Sequence, residues 1–418
     1  MEGAVRMKRG ERIKNAAIAV LSVSLIVLMV LAVPGGEQKA QDMLRSFAAT
    51  VGLLPPDAAD DDAVSAAAAQ PMLVSLRGDR GRVTLRRDGV ALDQAYAAVA
   101  SLYGRAFATA SDAETASVDA FLEALSQNGI YLAFPDAIPA SAFAAWLGAE
   151  NGALRQTAEG YLLQPTAKGA VLWLYGDTVT AYQTELGASA VQTAIGDPTP
   201  DGSAFAFETN NTRLDPMTLW EDGLIVLSNA QMENPVTQAA AQSIASSLEF
   251  NPYGAGAYTD IDGAFVFSES GRNCTVAADG TVRVTAEEGK YAAFSAEEET
   301  PVRYIDAASR VLQTVCADRL GEARLCLTKF EQTKTGAECR FAVMLSGVPV
   351  SPLEAVVTFT GTQLTALSVP LRTFTLTDTH VVPMPLAPAA ALAPEGARLT
   401  LGYLLDENGA LGAGWRVR

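Results

Sequence analysis

The chain has 418 residues, 49% of them hydrophobic and 18% charged, and carries a formal net charge of −17 with a single histidine. Such a composition belongs to folded rather than disordered chains, and its length suffices for two ordinary domains with cores of their own. The acidity repels phosphate backbones and argues against nucleic acid as a partner, while one histidine leaves little room for nucleophilic triads, metal-bound water or proton shuttles.

In chain order, the first feature is an uncharged, mostly apolar run from Ala16 to Val33 behind a basic stub containing Arg6, Lys8, Arg9, Arg12 and Lys14. As a helix it spans ~27 Å, close to the hydrocarbon thickness of a bilayer. Ile18, Leu21, Leu25, Leu28 and Leu31 are its expected membrane-facing anchor residues. No A-x-A-like site follows, so the run reads as a retained anchor rather than a cleaved signal. The positive-inside rule keeps residues 1–15 in the cytoplasm and places everything after Val33 outside it. Ala16, Ala19 and Ser22, with Ala17 and Ser24, offer small surfaces for packing against another transmembrane helix, and serve equally well as lipid-facing filler. Residues 34–70 follow as a juxtamembrane segment and an acidic, proline-led linker.

A first α+β domain is expected over residues 71–250. Met72–Leu76 and Gly81–Arg86 read as strands around an Arg77–Arg80 turn, and Leu92, Tyr96, Val99 and Tyr103 as one face of a helix. A second helix, with Ser111 as a capping-like start, carries Val118, Phe121, Leu122 and Leu125. The strand Ile130–Phe134 then closes at Pro135, and a helix runs through Phe143, Trp146 and Leu147. Strands are expected at Tyr161–Leu163 and Val171–Tyr175, then a helix from Asn234, read as its cap, to Glu249.

A second, β-rich domain is expected over residues 251–418. Its strands fall at Phe265–Phe267, Cys274–Val276, Val282–Val284, Ala323–Phe330, Cys339–Leu345, Ala355–Phe359, Leu364–Val369, Leu399–Leu405 and Trp415–Val417. One helix, Ile305–Leu320, interrupts them, and Met384–Pro394 reads as a Pro/Ala-rich connector. Four cysteines allow three pairings. Cys326 and Cys339 lie on neighbouring strand-like runs and could form a cross-strand disulfide, although buried thiols are the preferred reading for so large a folded part.

The search for chemistry returns no catalytic residue, no metal site and no cofactor motif. His380 sits in a loop-to-strand context. Ser126-Gln127-Asn128 and Lys334-Thr335-Gly336 resemble pieces of a serine–lysine enzyme, but no lysine has a serine three residues before it, and the second fragment reads as a hairpin turn. Asp260-Ile261-Asp262-Gly263 has the first carboxylates of a calcium loop but neither its third ligand position nor its terminal glutamate, and reads as a turn.

The basic start Met7–Lys14 immediately before the anchor resembles the YycH and YycI proteins of Gram-positive bacteria. So do Val118–Trp146, Tyr258–Gly263, Leu345–Val350, Leu401–Asp406 and Trp415. The first domain resembles YycH, and the tyrosine-to-tryptophan ending resembles YycI. The resemblance implies a noncatalytic, single-pass accessory regulator of an essential sensor histidine kinase of the YycG type, concerned with cell-envelope homeostasis. It implies contact with that kinase through the anchor and the extracytoplasmic part, and with a second YycH/YycI-like protein. A carboxylate-dependent cell-wall hydrolase and an envelope scaffold are the alternatives.

Overall fold

Alternation of apolar and polar residues decides which strands are covered on one face and which on both. The computed structural model describes residues 70–86, 90–209, 213–220, 225–234, 236–406 and 409–417. The expected anchor, with Ile18, Leu21, Leu25, Leu28 and Leu31, and its packing residues Ala16, Ala19 and Ser22, lies outside the described residues. No helix among the described residues is long and apolar enough to cross a membrane.

The first half is built on β1 (Leu73–Gly78), β2 (Gly81–Arg86), β3 (Ser111–Ala116), β4 (Gly129–Pro139), β5 (Thr157–Thr166), β6 (Gly169–Tyr175) and β7 (Val179–Gln183). They form one seven-stranded antiparallel sheet in the order β2-β1-β4-β5-β6-β7-β3. Its central strands are covered on both faces. Ile130, Leu132, Tyr161, Leu163, Leu172 and Leu174 enter the main core, while the intervening Tyr131, Leu162, Trp173 and Tyr175 enter a second cluster on the opposite face. Helices α1 (Val90–Thr109), α3 (Ala140–Trp146) and α4 (Ala188–Ile195) cover the main-core face. Helix α2 (Val118–Leu125), with Phe121 stacked on Tyr175 at 4.8 Å, covers the other. The α2 helix is capped by Ser117, whose hydroxyl accepts from the Ala120 N–H at 3.1 Å. Ser111 instead opens β3, correcting the expected cap.

After β8 (Ala204–Phe205), β9 (Leu219–Trp220) and β10 (Leu227–Glu233) comes helix α5 (Gln238–Ser247). Its cap is Thr237 rather than Asn234. The Asn234 side chain stabilises the turn before the helix, accepting from the Val236 N–H at 3.1 Å and donating to the Ala278 carbonyl at 2.6 Å.

The second half holds β11 (Ala257–Thr259), β12 (Phe265–Glu269), β13 (Arg272–Val276), β14 (Thr281–Ala286), β15 (Arg324–Gln332), β16 (Gly336–Leu345), β17 (Val348–Thr360) and β18 (Gln363–Pro370). Their order is β11-β12-β13-β14-β18-β17-β16-β15. Strand β20 (Leu399–Leu405) pairs with β17 in parallel at Val350 and Ser351, and β21 (Leu411–Val417) pairs with β20. Here alternation marks one buried face: Val282 and Val284 are buried while Arg283 and Thr285 are exposed. Helix α6 (Pro301–Cys316) lies on that face through Tyr304, Ile305, Val311, Leu312 and Val315. It also meets α3 and α5.

Strand β19 (Thr373–Val381) leaves the large sheet and pairs antiparallel with β10. The Pro/Ala-rich segment contains helix α7 (Leu386–Leu392) rather than a plain connector, with Pro388 tolerated in its first turn. All strands of the seven-stranded sheet precede residue 250 and all strands of the larger sheet follow it. A single buried cluster nevertheless runs through both, and the described residues form one unit.

Candidate functional site: a basic cleft between the two sheets

Three interruptions in the strand ladders fall at one place. In β4 the pairing with β5 breaks between Ala133 and Ile138, so Phe134–Ala137 leave the ladder. In β15 the register shifts between Leu327 and Lys329, and in β16 between Ala342 and Met344, where β17 turns to meet β20. A bulge bends its strand and increases the local twist. Beside these interruptions lies a cleft of about 480 Å³, lined by residues of both sheets.

The floor is apolar and adaptable. Met72, Met217 and Met344 reach it with Leu219, Val350 and Trp415. Methionine thioethers fill irregular space and accommodate varied partners. The Trp415 indole N–H donates to the Met384 carbonyl at 2.7 Å, which fixes the ring at the cleft's side. The Thr218 residue is 1% exposed, and its hydroxyl oxygen finds no hydrogen-bond partner among the described residues.

Around this floor Arg86, Lys329, Arg340, Arg398 and Arg416 outnumber Asp136 and Glu354. Carboxylates beside the cleft meet several of these cations. The Arg340 guanidinium donates to Glu338 at 2.8 Å and to Glu354 at 3.2 Å. The Lys329 ammonium lies 2.9 Å from the Glu331 carboxylate. Arg416 is exposed and makes no ion pair among the described residues.

Arg398 is different in kind. It is largely buried and pairs at 2.6 Å with Glu159 of β5, tying the start of β20 to the first sheet. Burial works against its charge, but Glu159, Tyr131 and Asp215 favour the cation and leave its pKa above the ordinary arginine value. Nearby, the fully buried Tyr131 hydroxyl has no hydrogen-bond partner among the described residues, and burial raises its pKa. The tyrosine ring lies over Gly160, where a Cβ would come within 2.5 Å of the hydroxyl oxygen. Glycine is required there for close approach.

A cleft lined without histidine or cysteine, floored by methionine and rimmed by cations, is equipped to bind an anionic, partly apolar surface.

The residues singled out in the sequence lie elsewhere. Cys326 faces Ala342 and Cys339 faces Phe330 in the β15–β16 ladder, so they are not a cross-strand pair. The cross-strand disulfide that the sequence allowed is therefore not formed, and Cys274, Cys316, Cys326 and Cys339 are buried thiols. Burial pushes Cys274 and Cys316 up to about 12, away from reactivity. His380 is exposed on β19 opposite Ser228. Thr333–Thr335 form the β15–β16 turn, and Ser126–Asn128 follow α2. The Asp260–Gly263 turn is exposed. Among the described residues no three His, Cys, Asp or Glu side chains converge to hold a metal.

No protein-family model and no curated protein sequence matches the chain. Among solved structures, YycH from Bacillus subtilis superposes with a TM-score of 0.56 at 10% identity, covering 85% of this chain and 94% of that one. The likeness therefore reaches well beyond residues 71–250. The chain has the YycH fold.

Proposed function

We propose that this chain is a noncatalytic, membrane-anchored regulator of a sensor histidine kinase that governs the cell envelope, with its folded part outside the cytoplasm. The observation that carries the reading is the YycH fold over 85% of the chain. The apolar run Ala16–Val33 behind a basic stub supports the anchor and its orientation. The kinase is the proposed partner, engaged through the anchor and the extracytoplasmic part; a second YycH/YycI-like protein is a further one. A regulator of this kind acts by binding two signalling states of the kinase with different affinity.

Reporter fusions test the topology. A fusion after Arg418 is expected to be active only with a reporter that works outside the cytoplasm, and the chain is expected to keep its full mass in the membrane fraction. Recovery of a soluble secreted species starting near Pro34 would overturn the anchor. For the partner, photo-cross-linkers placed in Ala16–Val33 and on the folded part are expected to capture the kinase. Failure of both to capture it, or turnover of a wall glycan that one carboxylate substitution abolishes, would overturn the regulator.

A further inference from the structure

The turn between β11 and β12 presents the most exposed large apolar side chain among the described residues, Ile261 at 96%, between the exposed carboxylates of Asp260 and Asp262. The turn is held in shape. The Asp260 N–H donates to the Ala264 carbonyl at 2.8 Å and the Gly263 N–H to the Asp260 carbonyl at 3.0 Å, while Gly263 takes a φ of +78°. The Ile261 N–H donates to its neighbour's carboxylate, Asp260 Oδ1, at 2.8 Å. A fixed aliphatic knob flanked by negative charge is preorganised for binding, because little conformational freedom is lost when it docks.

The same chain carries the complementary surface. The cleft between the sheets has a volume of about 480 Å³, within the size range of sites that enclose small ligands. Met72, Met217 and Met344 line it, as do two exposed cations, Arg416 and the Glu331-paired Lys329. We propose that the Asp260–Gly263 turn of one copy docks in this cleft of a second copy, Ile261 against the methionine floor and the two aspartates against Lys329 and Arg416. Donor and acceptor surfaces differ, so the contact is head-to-tail and each copy retains one unused knob or cleft at an end. A regulator that self-associates in this way presents its partner-binding surface as an array. The contact rests on charge and shape and not on the kinase reading, so failure of either leaves the other standing.

Sedimentation of the full chain in density-matched detergent tests the contact. Self-association is expected to rise with concentration and weaken with salt. Ile261→Ser on the knob, and Lys329→Glu with Arg416→Glu on the cleft, are each expected to weaken it about tenfold or more. A mixture of the two variants is expected to form dimers that neither forms alone, because one supplies an intact cleft and the other an intact knob. Ile261 is almost wholly exposed, so its substitution leaves the core intact. As a second measurement, copies carrying Ile261→Cys are expected to cross-link through disulfides to copies carrying Arg416→Cys, the native thiols being buried. A monomer at all concentrations, association indifferent to both variants, a mixture no better than its components, or Ile261→Cys pairing only with itself would each overturn the proposal.

Discussion

Arg82 shows how much one buried cation can organise. Its side chain is 3% exposed and lies over the Phe205 ring at 4.7 Å. It donates to Ser75 Oγ and to the Leu125 carbonyl, both at 3.0 Å, and to Glu208 at 2.9 Å. Glu208 also accepts from Arg77 and from the Phe205 N–H. Burial lowers the Arg82 pKa and the Glu208 carboxylate opposes that shift. The cluster therefore binds α2, the β1–β2 hairpin and the 204–209 segment together. Removing Arg82 leaves Glu208 paired with Arg77 but deprives Ser75 Oγ and the Leu125 carbonyl of their buried donor, at a cost of ~1–3 kcal/mol for each unmade hydrogen bond. Arg82→Ala is expected to lower stability by about the sum of these in urea unfolding, whereas an exposed-arginine control, Arg303→Ala, should change it by ~0–1 kcal/mol.

Asp201, Asp279 and Glu269 are carboxylates whose surroundings favour the charged form. Burial alone would raise the Asp201 pKa, but hydrogen bonds from Ser203 and from the Thr84 N–H outweigh it and leave it lowered. Asp279 is lowered in the same way, burial opposing and Thr281 and Arg372 prevailing. Glu269 is lowered first by the Asn251 N–H, against a smaller burial effect, and then by Arg272. A depressed carboxylate contributes stability that is fully present above its unfolded pKa and lost as pH falls through its folded pKa. Stability is therefore expected to hold from neutral pH down to the ordinary carboxylate range and to decline below it. Asp201→Asn should flatten part of that decline in unfolding curves collected across the acid range.

At the scale of elements, the buried thiols give a direct check. Without disulfides, reductant is expected to leave the unfolding midpoint unchanged, and a thiol reagent should modify Cys274, Cys316 and Cys339 only as the chain unfolds. Reaction of those thiols in the native state would contradict their burial. The elements most legible in the sequence were those with a clean apolar period. Phe121, Leu122 and Leu125 marked α2, while Val282 and Val284 marked β14. Strand β3 was hidden because its side chains are almost all exposed, so its pairing with β7 leaves no apolar alternation to read. Strand β4 continues past Pro135 because its ladder is already interrupted there, where a missing N–H costs no pairing. The α7 helix was masked by its prolines. The cleft was not legible at all. Its walls come from bulges near residues 135, 328 and 343, and no local pattern announces that distant irregularities will meet.

Across the whole folded part, the two sheets share one buried cluster and are joined by the β10–β19 ribbon and the Glu159–Arg398 pair. The family resemblance was legible in short motifs, and the YycH fold is present over most of the chain. The residues that line the cleft left no local signature, because they are brought together from distant strands. The most direct test of the regulator reading is the autophosphorylation rate of the organism's envelope sensor kinase, reconstituted in vesicles with and without the full chain. The rate is expected to change several-fold and to saturate as the chain is added. An unchanged rate at every ratio, with both proteins inserted and folded, would contradict it.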